Sequence, residues 1–355
     1  REFDQADEYP VDLVEQMREL GLFGATISEE YGGLGLSASI YARIVSRICE
    51  VWMAPSGIFN SHLIMASCVE RAGTQAQKEH FLPKFATGEL RGGIGLTEPD
   101  AGSDLQGIRL VAKKDGAHYV LNGTKTWISN GINGNCLAVL TKTDPSASPP
   151  HRGMSLFICE KGEGFSVGKK LKKLGYRSID SAELIFEDFR VSGNNLVGGE
   201  EGMGFQQVAG GLELGRINIA ARGAGMAKGA TNMALHYSMD RKTFGKAIAE
   251  HQAIQLKLAE MSTRAAAAEL LVHQAADKFD RHERCDLEAG QAKFFASEAA
   301  VQNSLDAMRV FGGYSYSPEY EIERFYRDAP LLCIGEGTNE IQRMIIAKQM
   351  VARAS

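Results

Sequence analysis

The sequence predicts an α+β chain with three parts: an all-helical beginning, an antiparallel sheet in the middle, and a bundle of long helices at the end. Three observations predict it. Apolar residues recur at helical spacing through the first quarter. Short β-rich runs separated by turn pairs replace them after Gly92. From about Gly202 the helical period returns, in segments of about 25 residues or more that each span roughly 40 Å. These limits divide the 355 residues into domains 1–91, 92–201 and 202–355, in keeping with a chain longer than one core usually supports.

Each element follows from a local signal. Val11, Leu13, Val14, Met17 and Leu20 fall on one helical face, with Gly21 as the stop. Gly32-Gly33-Leu34-Gly35 makes a turn, and Ser37 caps a helix running to about Val51. Gly57 to Ala72 carries few charges and is apolar on most sides, as a helix inside a domain would be. Thr74-Gln75-Ala76-Gln77 has capping-box spacing, and its helix ends near Gly88. The runs Gly92 to Leu96, Ile108 to Lys113, His118 to Leu121, Thr124 to Ile128, Cys136 to Thr141, Met154 to Cys159 and Ala182 to Phe186 read as strands. Asp115-Gly116 and Asn122-Gly123 read as turns between them. Asp144 to Gly153 holds three of the nine prolines and reads as an exposed loop. Long helices follow near 204–241, 251–280 and 286–311, the last capped by Asp286 and ended by Gly312-Gly313. Ser317-Pro318 opens a shorter piece, and the final helix follows Thr338. Small residues such as Gly211, Gly215, Ala220 and Gly225 allow the first long helix to approach another backbone or a flat ligand.

Composition limits the function. With 44% hydrophobic and 23% charged residues and a net charge of -5, the chain is an ordinary globular one and a poor partner for nucleic acid. No apolar run approaches the roughly 18 residues of a membrane span, so no membrane partner is expected. The six cysteines form no C-x-x-C pair and the eight histidines no H-E-x-x-H, so buried thiols in a reducing compartment and no metal are expected. The chain opens on charged, helix-like residues, as if its beginning were missing. A cytoplasmic bacterial protein is expected, or a mitochondrial matrix protein if a transit peptide has been removed.

Four segments carry the chemistry. In Ile334-Gly335-Glu336-Gly337-Thr338-Asn339-Glu340-Ile341, a lone carboxylate stands between two glycines ahead of a helix that Thr338 can cap. This is either a base on a presentation loop or a solvated Glu in a Gly-rich cap. Gly95 to Asp104 combines the Thr97 and Ser103 hydroxyls with small residues that leave backbone accessible to a polar ring edge or a thioester; it also reads as a plain turn. In Lys125 to Gly131, Trp127 and Ser129 lie two apart on a strand and can face one planar ligand, or the indole can be core. Asp240 to Lys246 sets Arg241, Lys242 and Thr243 where they suit a diphosphate or a solvated turn.

In this order and spacing the motifs are similar to those of the acyl-CoA dehydrogenases over nearly the whole chain. The match runs through Gly95 to Asp104 with Trp127-Ile128-Ser129, Arg241 to Lys246 with His251-Gln252, Phe311-Gly312-Gly313, and Glu336-Gly337-Thr338. The resemblance implies a β-barrel-like middle domain, a C-terminal four-helix bundle, FAD as cofactor and a homotetramer built as a dimer of dimers. By position it implies that Leu96, Thr97 and Ser103 line the flavin and thioester site, and that Trp127, Ile128 and Ser129 flank the flavin ring. Arg241, Thr243, Phe244, Gln252, Arg309, Gly312 and Gly313 match contacts to the FAD of the neighbouring subunit, and Thr338 and Glu340 match further cofactor contacts. Glu336 matches the catalytic base and Arg216 an arginine beside it; Ser103, Glu213, Arg216 and Gly337 match substrate contacts. Some members carry the base one residue before that arginine, which here is Gly215.

The implied reaction is α,β-dehydrogenation of an acyl-CoA thioester to a trans-2-enoyl-CoA. Glu336 takes the α-proton, the β-hydride goes to the flavin, and an electron-transfer flavoprotein accepts the electrons. Burial in an apolar slot is expected to raise the Glu336 pKa toward neutrality. The alternatives are an acyl-CoA oxidase that uses oxygen and a non-catalytic flavoprotein scaffold. A decarboxylating glutaryl-type enzyme needs a cation for the distal carboxylate, and Ile48 to Glu70, which should border the acyl pocket, contains no Lys or Arg. Gly335, where many straight-chain enzymes carry a bulky aromatic, leaves room for a branched or cyclic acyl group.

Overall fold

The structure, a computed structural model, describes residues 1–354 and all their side chains except that of Leu212. The N-terminal part is helical: α1 (Glu2–Ala6), α2 (Val11–Glu19), α3 (Ala38–Cys49), α4 (Met53–Ala72) and α5 (Gln75–Thr87). Ser37 caps α3 by accepting from the Ile40 N–H, and the capping box at Thr74 and Gln77 opens α5, which Gly88 ends in the left-handed region. α4 is buried nearly all round, so most of its polar residues face other parts of the chain rather than water.

The middle of the chain is a curled seven-stranded sheet of β1 (Gly92–Gly95), β2 (Val111–Asp115), β3 (His118–Ser129), β4 (Cys136–Lys142), β5 (Met154–Glu160), β6 (Phe165–Lys170) and β7 (Ser181–Ser192). Most neighbours are antiparallel, as expected. β1 departs from this by running parallel to β4, which also meets β2 in parallel at one residue pair. Asn122-Gly123 is not a turn. The two runs either side of it form the single strand β3, because β7 pairs with both, and the register shifts between Leu121 and Gly123. β6 carries no alternating apolar signal, since nearly all of it is exposed at the edge of the sheet. Inside the curl, Leu121, Ile128, Val139, Phe157, Leu184 and Phe186 form a core of their own.

Four long helices follow: α6 (Gly204–Asp240), α7 (Gln252–Asp280), α8 (Asp286–Phe311) and, after the short α9 (Ile322–Asp328) and α10 (Pro330–Ile334), α11 (Asn339–Ala354). A short hairpin of β8 (Lys242–Thr243) and β9 (Lys246–Ala247) joins α6 to α7. Asp286 is the first residue of α8 rather than its cap. That place belongs to Cys285, and the Asp286 carboxylate instead pairs with Arg284 at 2.7 Å. α6 lies against α3, α4, α7 and α8, and its glycines make this possible. A Cβ at Gly225 would stand 2.2 Å from the Ser46 carbonyl oxygen of α3, and one at Gly223 would stand 2.6 Å from the Ala296 carbonyl oxygen of α8. No helix among the described residues is long and apolar enough to cross a membrane.

Candidate active site

The loop between α10 and α11 presents one carboxylate to the interior. Glu336 has φ 53° and Gly337 φ 88°. Glycine takes this region freely, but for glutamate it is a strained backbone that neighbouring contacts must hold. Lys293 on α8 holds it. Its ammonium is fully buried and donates to the Gly337 carbonyl at 2.8 Å, to Asn339 Oδ1 at 2.8 Å and to the Cys333 carbonyl at 3.4 Å. Burial pulls the Lys293 pKa down to about 8. Thr338 caps α11 as expected, accepting from the Ile341 N–H at 3.4 Å.

The carboxylate itself is asymmetric. Oε1 accepts from Asn60 Nδ2 of α4 at 3.0 Å. Oε2 is buried without a partner and points at α6, where a Cβ added to Gly215 would stand 2.3 Å from it. Positions 215 and 336 therefore meet at one point in space, so a side chain at 215 and the present Glu336 rotamer exclude each other. Burial pushes the Glu336 pKa above the ordinary carboxylate range; Arg222, the Asn60 hydrogen bond, Lys293 and Arg216 oppose that rise.

Arg216 and Glu213 lie on α6 close to this point. Glu213 is raised by burial and by a hydrogen bond shared with Asp286, while Arg71 and Arg216 oppose the shift; Arg216 Nε is buried without a partner. Although Ile48 to Glu70 has no Lys or Arg, a cation reaches it from elsewhere. Arg222 of α6 crosses to it and donates to the Ser56 carbonyl at 3.3 Å and to the Tyr176 hydroxyl at 3.2 Å.

The strand that carries the indole is bulged. Pairing of β3 with β7 shifts between Lys125 and Ile128, and within the shift Trp127 takes φ 61°. The bulge turns Trp127 outward at 59% exposure while Ile128 enters the sheet core at 3%. Ser129 lies half-buried on the outward side. Beneath it Lys125 and Glu98 form an ion pair at 2.8 Å, and Glu98 also accepts from the Arg109 and Leu110 N–H groups. The Lys125 ammonium reaches the Leu96 carbonyl at 3.0 Å, and the Thr97 carbonyl accepts from the Thr126 N–H at 2.8 Å. Leu96 and Thr97 are thus tied to the segment of β3 that carries Trp127 and Ser129. Ser103 is exposed on the loop beyond β1.

A second group surrounds a cavity of about 750 Å³ at the end of α6, where Arg241, Thr243, Gly312 and Gly313 come together with Tyr237 and Phe311. Phe244 stands beside it, 97% exposed and at φ 49°. Gln252 opens α7 without lining the cavity, and Arg309 turns back to Asp306 at 3.1 Å. Glu340 faces solvent on the first turn of α11, where its nearest cation is Arg343 at 4.0 Å. Sequence reasoning missed Asn60, Arg222 and Lys293. The one available signal was at Asn60, an amide in a stretch apolar on most sides; α6 and α8 carry many other polar residues, so nothing local set Arg222 or Lys293 apart.

Family profiles described as acyl-CoA dehydrogenase N-terminal, middle and C-terminal domains match residues 1–89, 93–189 and 202–351. An acyl-CoA dehydrogenase of Bacillus subtilis is 41% identical over 350 residues, covering 98% of this chain and 92% of its own. The acryloyl-CoA reductase (NADH) of Anaerotignum propionicum is 39% identical and covers 99% of this chain and 89% of its own. The structure of butyryl-CoA dehydrogenase from Megasphaera elsdenii superposes with a TM-score of 0.95 at 36% identity, covering 99% of this chain and 92% of its own. The chain belongs to the acyl-CoA dehydrogenase family, oxidoreductases that act on the CH–CH bond of acyl-CoA.

Proposed function

We propose that this chain desaturates an acyl-CoA thioester between Cα and Cβ, with Glu336 as the base. One observation carries the reading: a buried carboxylate oxygen, Glu336 Oε2, without a partner, on a loop that Lys293 and Asn60 hold in place. Such an oxygen is ready to accept a proton. Its raised pKa suits removal of a weakly acidic α-hydrogen. The α-proton passes to Oε2, the β-hydrogen leaves with its electron pair, and the Cα–Cβ double bond forms.

The residues present fit FAD. Trp127 offers an exposed indole at the β3 bulge, and the cavity at Arg241 combines aromatic walls, a guanidinium and the Thr243 hydroxyl, features suited to a flat ring and to a diphosphate. FAD held against Trp127 would supply the acceptor for the β-hydride. Trp127 and Ser129 orient the ring edge, Leu96 and Thr97 wall the site, and Arg241, Thr243, Phe244, Gly312 and Gly313 serve the cofactor of a neighbouring subunit. Leu256, Leu270 and Met344, exposed by 59%, 69% and 67%, support burial of these helix faces in a homotetramer. Glu213 and Arg216 engage the thioester, and an electron-transfer flavoprotein takes the electrons onward. A Cβ at Gly335 would meet only Leu331 within 4 Å, at 3.4 Å or more, so the room beside the base suits a branched or cyclic acyl group.

The test is anaerobic bleaching of the flavin absorbance by a panel of straight, branched and ring-bearing acyl-CoAs, followed by admission of air. Bleaching by a branched or cyclic thioester, with reduced flavin that persists in air, is the expected result. No bleaching with any thioester, FAD being bound, contradicts the reading; rapid reoxidation by air would indicate an oxidase. Faster bleaching by butyryl- or hexanoyl-CoA would show that the space at Gly335 is not used for branching.

A further inference from the structure

We propose that Asn60, backed by Tyr41 and Asn218, and Arg222 are positioning residues for the base, holding Glu336 Oε1 and leaving Oε2 as the oxygen that takes the proton. The proposal rests on the reading of Glu336 as that base. It starts from burial: Tyr41, Asn60, Asn218 and Arg222 are each no more than 3% exposed, so they act on the carboxylate and not on the thioester.

The hydrogen bonds run in one direction. Asn218 Nδ2 donates to the Tyr41 oxygen at 2.8 Å. That oxygen, already an acceptor, sends its own proton to Asn60 Oδ1 at 3.1 Å, which leaves Asn60 Nδ2 to donate to Glu336 Oε1 at 3.0 Å. Turning the Asn60 amide over would set its carbonyl against a carboxylate oxygen and take away the acceptor of the Tyr41 O–H, whose oxygen already accepts from Asn218. The relay therefore fixes the amide, and the amide favours the ionised carboxylate over the protonated one. α3, α4 and α6 each contribute one member, so the helices of two domains jointly set the rotamer of one side chain.

Arg222 supplies the charge. Tyr176 and Ser56 hold its guanidinium, Tyr176 lies beneath it at 5.8 Å, and Nε has no partner. The groups facing Glu336 are Tyr41 from α3, Tyr176 from the loop before β7, Arg216 and Arg222 from α6, and Lys293 from α8. Burial keeps both phenols neutral by raising their pKa values. The three cations favour the carboxylate, Arg222 most strongly. Burial favours the protonated carboxyl; Arg222 and the Asn60 hydrogen bond oppose that shift and favour the ionised form that a base must have.

The experiment is the pH dependence of anaerobic flavin reduction in the holoenzyme, using the fastest thioester of the panel, for wild type, Asn60→Leu, Tyr41→Phe, Arg222→Gln and Arg222→Lys. The acid limb is expected to move to higher pH by about one unit in Asn60→Leu and Arg222→Gln, a loss of about tenfold on the limb that recovers as pH rises. Tyr41→Phe, which removes one oxygen and tests the relay even if Asn60→Leu does not fold, should move the limb the same way by less. Arg222→Lys should lie closer to wild type. An unmoved limb, or a loss equal at every pH, overturns the proposal while leaving Glu336 as base. Wild-type enzyme that no thioester reduces overturns both.

Discussion

Glu336 Oε2 and Gly215 occupy adjoining space, and this contact makes a sharp prediction. A methyl group at 215 would stand 2.3 Å from Oε2, so Gly215→Ala must turn the carboxylate away from the substrate. Misplacing a reacting group by about 1 Å costs on the order of 100-fold in rate. Anaerobic stopped-flow reduction should show that loss with thioester affinity little changed; a wild-type rate would mean that the carboxylate works from another rotamer. How legible the site was depends on the range of its contacts. Glu336 stood out between two glycines; Trp127 and Ser129 were paired by strand spacing, but the outward turn of Trp127 comes from a bulge that the spacing does not reveal. Asn60 could not be found in this way, because its partner lies 276 residues away and the intervening chain gives no local sign of the meeting. Arg222 was hidden similarly: Ile48 to Glu70 holds no Lys or Arg, and the charge came from α6.

Among the elements, α8 carries the device that holds the loop. Lys293→Met would leave the Gly337 carbonyl and Asn339 Oδ1 without their donor. Losing a donor to buried acceptors costs about 1–3 kcal/mol, and thermal or urea denaturation of the FAD-loaded protein should show a loss of that size together with slower flavin reduction. Unchanged stability would place the anchor elsewhere. The sequence showed the long helices and the caps at Ser37, Thr74 and Thr338 because those signals are local. It misplaced the role of Asn122-Gly123, since a turn pair and a bulge use the same residues and only pairing with β7 on both sides tells them apart. β6 escaped notice because an exposed edge strand has no buried face to impose alternation.

For the whole molecule, the seam between the helical and sheet parts contains a buried histidine. His62 of α4 donates through Nε2 to the Phe85 carbonyl at 3.0 Å, and its Nδ1 accepts from the Gly92 N–H at 3.4 Å. Protonating Nδ1 would destroy that acceptor, and burial lowers the pKa from 6.5 to about 4. The unfolded chain then binds the proton more tightly, so stability is lost as pH falls from 6.5 toward 4, by about 3 kcal/mol for this group. His62→Gln should flatten the fall in urea midpoint over that window; an equally steep fall would assign acid sensitivity to other groups. Helices α4, α6 and α8 converge on Glu336 and its loop, and its role as the base is the claim on which the rest stands. The most direct measurement is the rate of anaerobic flavin reduction by the best thioester in Glu336→Gln protein that retains FAD. A general base contributes about 100- to 10,000-fold, so a fall of at least about 100-fold that no rise in pH restores is the predicted result, and reduction at a rate near that of wild type would contradict it.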